Sequence, residues 1–176
     1  MAEIARDTAW FEAMYRRTAA PVLAYTQRRL RTPQDCEDVL VEVFATAWRR
    51  RRDMPADELP WLYATAANVI AHAARSSARR TRLDARLATY EPVVTPDIDE
   101  QTIGAVDART ALNEALQTLS EPDRDVLQLW AWEGLEGNEL ATALGVNAGA
   151  ARTRLHRAKT RLRTAMTTTS IQGGTG

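Results

Sequence analysis

The sequence predicts an all-α protein built as two small helical domains joined by an acidic linker. Three observations carry this expectation. Apolar residues recur at three- and four-residue spacing in several segments, with no strand-like alternation. From about Leu83 to Ala105 that pattern fails, and Pro92, Pro96 and Gly104 punctuate an acid-rich stretch. Charge is also segregated. Residues 1–82 carry 14 basic and 10 acidic side chains, 83–107 one and six, 108–137 two and six, and 138–176 six and one. The whole chain is neutral, with 23 of each sign, but two basic ends flank an acidic middle. One reading is solvated faces; the other is two polyanion-binding surfaces joined by an acidic connector. A length of 176 residues suits one domain or two small ones. The expected segments are 1–82, an acidic linker at 83–107, 108–166, and a disordered tail at 167–176.

Residues 8–30 read as the first helix, through Trp10, Phe11, Met14, Tyr15, Val22, Leu23 and Leu30. Pro21 either interrupts it or starts a second helix. The next start is well marked. Thr32 can cap, Pro33 suits the first helical position, and Asp35, Glu37 and Asp38 favour the positive end of the helix dipole. Val39, Leu40, Val43, Phe44, Ala47 and Trp48 then make one apolar stripe, and Arg49 to Arg52 close the helix where cations are favoured. After the loop DMPADELP, Pro60 opens a helix with a core stripe of Trp61, Leu62, Thr65, Ala66, Val69, Ile70 and Ala73. Asn68, His72, Arg75 and Arg79 fall on its other side, and the row ends in Arg79-Arg80. Core is the expected place for Trp48, Trp61 and Trp130.

Helical spacing resumes at Val106, Leu112, Leu116 and Leu119. Ser120 caps the following helix, with Asp123 as the capping-box acid, and that helix buries Val126, Leu127, Leu129 and Trp130. A short helix runs from Asn138 to Leu144, Gly145 turns the chain, and Asn147 caps the last helix. On that helix Ala151, Leu155, Ala158 and Leu162 form the core stripe. Gly149, Arg152, Thr153, His156, Arg157 and Thr160 point away from it. A short helix, a glycine turn and a second helix with a polar outer face make a helix-turn-helix. The small residues Ala148, Gly149 and Ala150 would let its backbone approach a groove, and the six basic residues from Arg152 to Arg163 would hold phosphates.

Composition excludes other classes. There is no run of about 18 apolar residues, so no transmembrane span is expected, and MAEIARDTAW lacks the apolar core of a signal peptide. The single Cys36 fits a reducing cytosol and a buried apolar role. With His72 and His156 as the only histidines, neither a metal site nor a cofactor is expected. An enzyme acting on nucleic acid would need a metal cluster, a nucleophile–base set or a glycine-rich phosphate loop. An independent regulator binding duplex DNA through the helix-turn-helix is the alternative function; it would need nothing like the N-terminal block.

The block 112-LNEALQTLSEPDRDVLQLWAWEGLEGNELATALGVNAGAARTRLHRAKTRLR-163 resembles the promoter −35 recognition domain, region 4, of sigma-70 family sigma factors in the small extracytoplasmic-function group. L-x-x-L-S/P-E-x-x-R-x-V-L, E-x-A/I-x-x-L-G-V and R-L-H-R-A-x-x-R-L-R occur in order. The segments 37-EDVLVEVFATAWRR-50 and 61-WLYATAANVIAHAARSSARR-80 resemble region 2 of the same group. Two departures are Val41, where the family often has glutamine, and Ala67, where it often has arginine.

The resemblance implies a non-catalytic, cytoplasmic protein that binds core RNA polymerase at its clamp and flap regions. It would recognise promoter DNA both as duplex, at the −35 element, and as single strand, at the −10 element. The −35 contacts it implies are Gly149, Arg152, Thr153, His156, Arg157 and Lys159; Lys159, Arg161 and Arg163 suit phosphates or solvent. Asn68, His72, Arg75, Arg79 and Arg80 are implied near the −10 element, together with the loop before their helix. Asp35, Glu37, Asp38 and Glu42 are implied against the polymerase clamp. The acidic linker would thread the polymerase cleft. The resemblance also suggests an anti-sigma partner that holds the protein inactive and covers both basic ends.

Overall fold

Residues 6–83 and 103–172 are described by a computed structural model, with helical backbone alone at 76–83, 103–110 and 168–172. Every regular element among them is helical. The chain divides into two compact units, Met1–Val93 and Val94–Gly176. Of the expected linker, 84–102 lies outside the described residues; α3 runs up to Leu83 and α4 begins at Ile103. No helix among the described residues is long and apolar enough to cross a membrane.

In the first unit, α1 (Thr8–Gln27), α2 (Pro33–Arg49) and α3 (Glu58–Leu83) pack on one another. Asp7 caps α1 by accepting the Trp10 N–H at 3.0 Å. Pro21 lies inside α1 and neither ends nor restarts it. Proline removes one i→i−4 bond, but buried residues flank it on both sides, so packing holds the helix through the defect. Met14, Thr18, Val22, Tyr25 and Thr26 are that buried face. The two threonine hydroxyls are satisfied locally, donating to the Met14 and Leu23 carbonyls at 2.8 Å each. The Thr32 cap forms as expected: its Oγ1 accepts the Asp35 N–H at 3.1 Å and donates to the Asp35 carboxylate at 2.6 Å.

Cys36, Val39, Val43, Phe44 and Ala47 bury the inner face of α2. Of the four arginines expected to close it, Arg49 alone is helical; a 3-10 turn spans Arg51–Asp53. α3 starts at Glu58, two residues before the expected Pro60, which occupies the first turn, where a missing N–H costs nothing. Its fully packed face is Leu62, Tyr63 and Ala66. Val69 and Ile70 are half-buried and Ala73 is exposed, so the core stripe is shorter than the periodicity predicts. Packing against α1 and α2 gives out along Val69 and Ile70, so the stripe reaches solvent by Ala73.

In the second unit, α7 (Ala148–Gln172) packs on α4 (Ile103–Thr118), α5 (Glu121–Ala131) and α6 (Gly137–Leu144). Ala115, Leu116, Leu119, Val126, Leu127, Leu129, Leu135, Leu140, Ala151 and Ala158 make its core. The Ser120 start differs in chemistry from the expected box. Its hydroxyl donates to the Asp123 carboxylate at 2.8 Å instead of accepting an amide. Gly145 ends α6 at φ 62°, the left-handed conformation in which a Cβ is strained. Asn147 then caps α7, its Oδ1 accepting the Ala150 N–H at 2.8 Å. α7 runs past the expected boundary at residue 166 to Gln172, so the start of the expected tail is helical; 173–176 lie outside the described residues.

The tryptophans are not core residues. Trp61 and Trp130 are half-buried, and Trp48 is 37% exposed. Each carries a polar edge that packing leaves in reach of partners.

Candidate functional site

Three surfaces collect the residues singled out from the sequence. The first is the outer face of α7. Ala151, fully packed behind it, and Ala158, with no exposed surface, hold the helix close to its neighbours. Gly149, Arg152, Thr153, His156 and Arg157 are all exposed on the opposite side, as expected. Among the described residues, no carboxylate pairs with Arg152, Arg154 or Arg157. The face is therefore a run of unneutralised guanidinium groups beside a hydroxyl and an imidazole, starting at a capped helix N-terminus. That is a surface suited to phosphates and base edges.

The remaining basic residues of α7 divide differently. The Lys159 ammonium lies 3.3 Å from the Trp130 ring centroid. The Trp130 indole N–H in turn donates to Glu136 at 3.3 Å. One guanidinium nitrogen of Arg161 donates to both Asp123 oxygens, at 2.7 and 2.8 Å. Asp123 is 8% exposed, so this carboxylate is committed to the interior and to Arg161. Lys159 and Arg161 thus brace α7 against α5. An open groove of about 570 Å³ lies along the same pair of helices, lined by Leu127, Trp130, Leu162 and Met166 among others.

The second surface is on α3. Asn68, His72 and Arg75 are exposed at i, i+4 and i+7 along one side. Arg79 and Arg80 continue that helix, but their side chains lie outside the described residues. The loop before α3 exposes Arg52, Asp53, Pro55, Ala56 and Asp57 and buries Met54, which is 4% exposed. A contact that no sequence spacing announces holds this loop. The Arg6 guanidinium donates to the carbonyls of Arg51 at 2.6 Å and Met54 at 2.5 Å.

The third surface is the outer side of α2. Glu37 and Asp38 are exposed there, flanking a Val41 that is 69% exposed. Asp38 accepts a hydrogen bond from Gln34 at 2.9 Å. Asp35 is turned to the Thr32 cap, so its carboxylate serves its own helix first. Glu42 pairs with Arg49 at 2.8 Å. The Arg49 hydrogen bond, then the Arg49 charge, hold its carboxyl below the ordinary glutamate value. No group of three or more His, Cys, Asp or Glu side chains among the described residues is placed to hold a metal ion.

Comparison with known proteins adds the following. Residues 14–80 match the family model for sigma-70 region 2, and residues 109–162 match that for sigma-70 region 4. The chain is 33% identical over 155 residues to the RNA polymerase sigma factor CarQ of Myxococcus xanthus, covering 87% of each. It is 29% identical over 163 residues to the ECF RNA polymerase sigma factor SigL of Mycobacterium tuberculosis, covering 90% of each. In fold it is similar to the sigma factor RpoE of Bartonella quintana, solved in complex with the anti-sigma factor NepR. The TM-score is 0.67 at 17% identity, over 89% of this chain and 96% of that one.

Proposed function

The chain belongs to the sigma-70 family, in its extracytoplasmic-function group, and from that premise we propose how its surfaces divide the work of an RNA polymerase sigma factor. The outer face of α7 reads the −35 duplex through the major groove, with Arg152, Thr153, His156 and Arg157 toward bases and backbone and Gly149 allowing close approach. The observation that carries this is the unpaired basic face over the buried Ala151 and Ala158. Lys159, first grouped with the −35 contacts, we assign to bracing, because its ammonium is already engaged by Trp130.

The face of α3 with Asn68, His72 and Arg75, extended by Arg79 and Arg80, engages the −10 element with the loop before it. An element read as single strand needs both a place for an exposed base and cations for its backbone, and a loop beside a basic helix face offers both. The Glu37, Asp38 and Glu42 side of α2, with Asp35 at its start, meets the polymerase clamp. The apolar groove between α5 and α7 meets the flap. The functional division is residues 1–82 for core binding and −10 recognition and 108–166 for −35 recognition. The activity is non-catalytic and belongs in the cytoplasm with the polymerase. An anti-sigma factor is a further partner in this reading, as NepR is for the RpoE of similar fold.

Run-off transcription with purified core polymerase on pooled promoter fragments tests the reading. Discrete transcripts that depend on both core and this chain, and that fade with salt, are the expected result. Duplex DNA binding without any core binding would instead make the protein an independent helix-turn-helix regulator.

A further inference from the structure

The loop between α2 and α3 is short of its own hydrogen bonds. It contains Pro55, which has no N–H, and its 3-10 turn is closed by a backbone bond from the Asp53 N–H to the Arg50 carbonyl at 2.9 Å. Its inward carbonyls are satisfied from the other end of the unit. Arg6 donates to the carbonyls of Arg51, Met54 and, at 3.5 Å, Pro55. The gesture is returned: Arg51 Nε donates to the Arg6 carbonyl at 3.0 Å. Arg51 is itself seated, its guanidinium 4.1 Å from the Trp48 ring centroid and donating to the Trp48 carbonyl at 2.8 Å. Arg6 is seated too, 5.3 Å from the Trp10 ring. Its backbone directly precedes Asp7, whose side chain and carbonyl fix the first turn of α1.

We propose that Arg6 and Arg51 form a reciprocal clasp that sets the shape of the 51–57 loop, making Arg6 a positioning residue for −10 selectivity. The clasp needs arginine chemistry. A planar guanidinium with five donors can span several carbonyls at once, whereas an ammonium is a single point from which three bonds diverge. Bonds from a charged donor are also the stronger kind. Removing Arg6 would leave the Arg51 and Met54 carbonyls facing a half-buried space without their donor, and the loop would relax toward solvent. The α3 face would stay where core packing puts it. Loop and helix would then lose their fixed relation, and the pocket expected for an exposed −10 base would lose its shape while affinity for polymerase stayed the same.

The link to −10 reading rests on the function proposed above, so the test separates the two. Arg6→Ala and Arg6→Lys are compared with the unaltered full chain. The first readout is hydrogen exchange of the Asp53 amide, the loop N–H that the Arg50 carbonyl protects, in the free protein. The second is core-dependent transcription from promoters carrying single changes in either the −10 or the −35 element. Arg6→Ala should speed exchange in the loop about tenfold, with α1–α3 unchanged. It should also cut discrimination among −10 variants about five- to tenfold, leaving −35 ranking and core affinity unchanged. Arg6→Lys should fall between. Unchanged loop exchange in both variants would overturn the clasp. Faster exchange with undiminished −10 discrimination would keep the clasp and overturn its role in −10 selectivity. If Arg6→Ala unfolds the unit, Arg6→Lys, which keeps the charge and loses the fork, decides both points.

Discussion

Arg152 and Arg157 differ from Lys159 and Arg161 in what lies within reach of them. The first two face solvent; the second two reach Trp130 and Asp123. Arg157→Ala should therefore lower promoter-specific transcription roughly 5- to 150-fold, the loss of about 1–3 kcal/mol for a good base contact. Core affinity should be unaltered in a binding titration. Arg161→Gln should behave differently. A double-mutant cycle with Asp123→Asn should give a coupling of about 1 kcal/mol in thermal unfolding, modest because Arg161 is 58% exposed. The salt slope of promoter binding should not change, since no phosphate contact is lost. From sequence all six, within twelve positions of one helix, were expected to face DNA or solvent, with Lys159, Arg161 and Arg163 the ones suited to phosphates or solvent. What separates them is which turn of α7 faces α5, and a partner 38 residues away sets that.

At the scale of elements, the turn into the recognition helix carries the sharpest expectations. A Cβ at Gly145 would touch nothing within 4 Å, so the cost of Gly145→Ala is the left-handed backbone alone, about 1 kcal/mol. Gly145→Asn should cost less, because asparagine tolerates that conformation. Urea unfolding distinguishes them. Asn147→Ala should cost about 1 kcal/mol by losing the α7 cap. On α2, Asp38→Lys with Glu42→Lys should reduce affinity for core polymerase before it affects DNA recognition, as measured by binding to labelled core. The Glu42–Arg49 pair also has a pH sign. Because the folded carboxyl is held low, its contribution is complete above the free glutamate value and is lost as pH falls through the folded one. The stability difference between the unaltered chain and Glu42→Gln should therefore shrink as pH falls through that window, as read by melting both across it.

Whole-molecule behaviour follows from the division into two units, each with its own core. Fragments 1–82 and 108–166 should each be helical and unfold cooperatively. The first should retain core binding and the second weak −35 duplex binding, by circular dichroism and by fluorescence titration. Failure of either fragment to fold would refute the proposed boundaries. Neutrality of the whole chain should not weaken the salt dependence of promoter binding, because the net positive charge lies in its two end segments and the net negative charge between them.

Sequence alone determined the helices, the capped starts of α2 and α7, the turn after α6, and the family. Thr32-Pro33, Gly145 and Asn147 act through bonds within four residues, so local chemistry specifies them. The stripe of α7 is equally local, since a period of 3.6 residues puts Ala151 and Ala158 on one side whatever they pack against. Tertiary structure decided everything that depends on two distant segments meeting. It carried α1 through Pro21, left the end of the α3 stripe in solvent, and turned Trp48 and Trp130 into platforms for Arg51 and Lys159. It also brought Arg6 to a loop 45 residues on. Periodicity reports which side of a helix is apolar, but only packing decides how far burial extends and which charges find a partner.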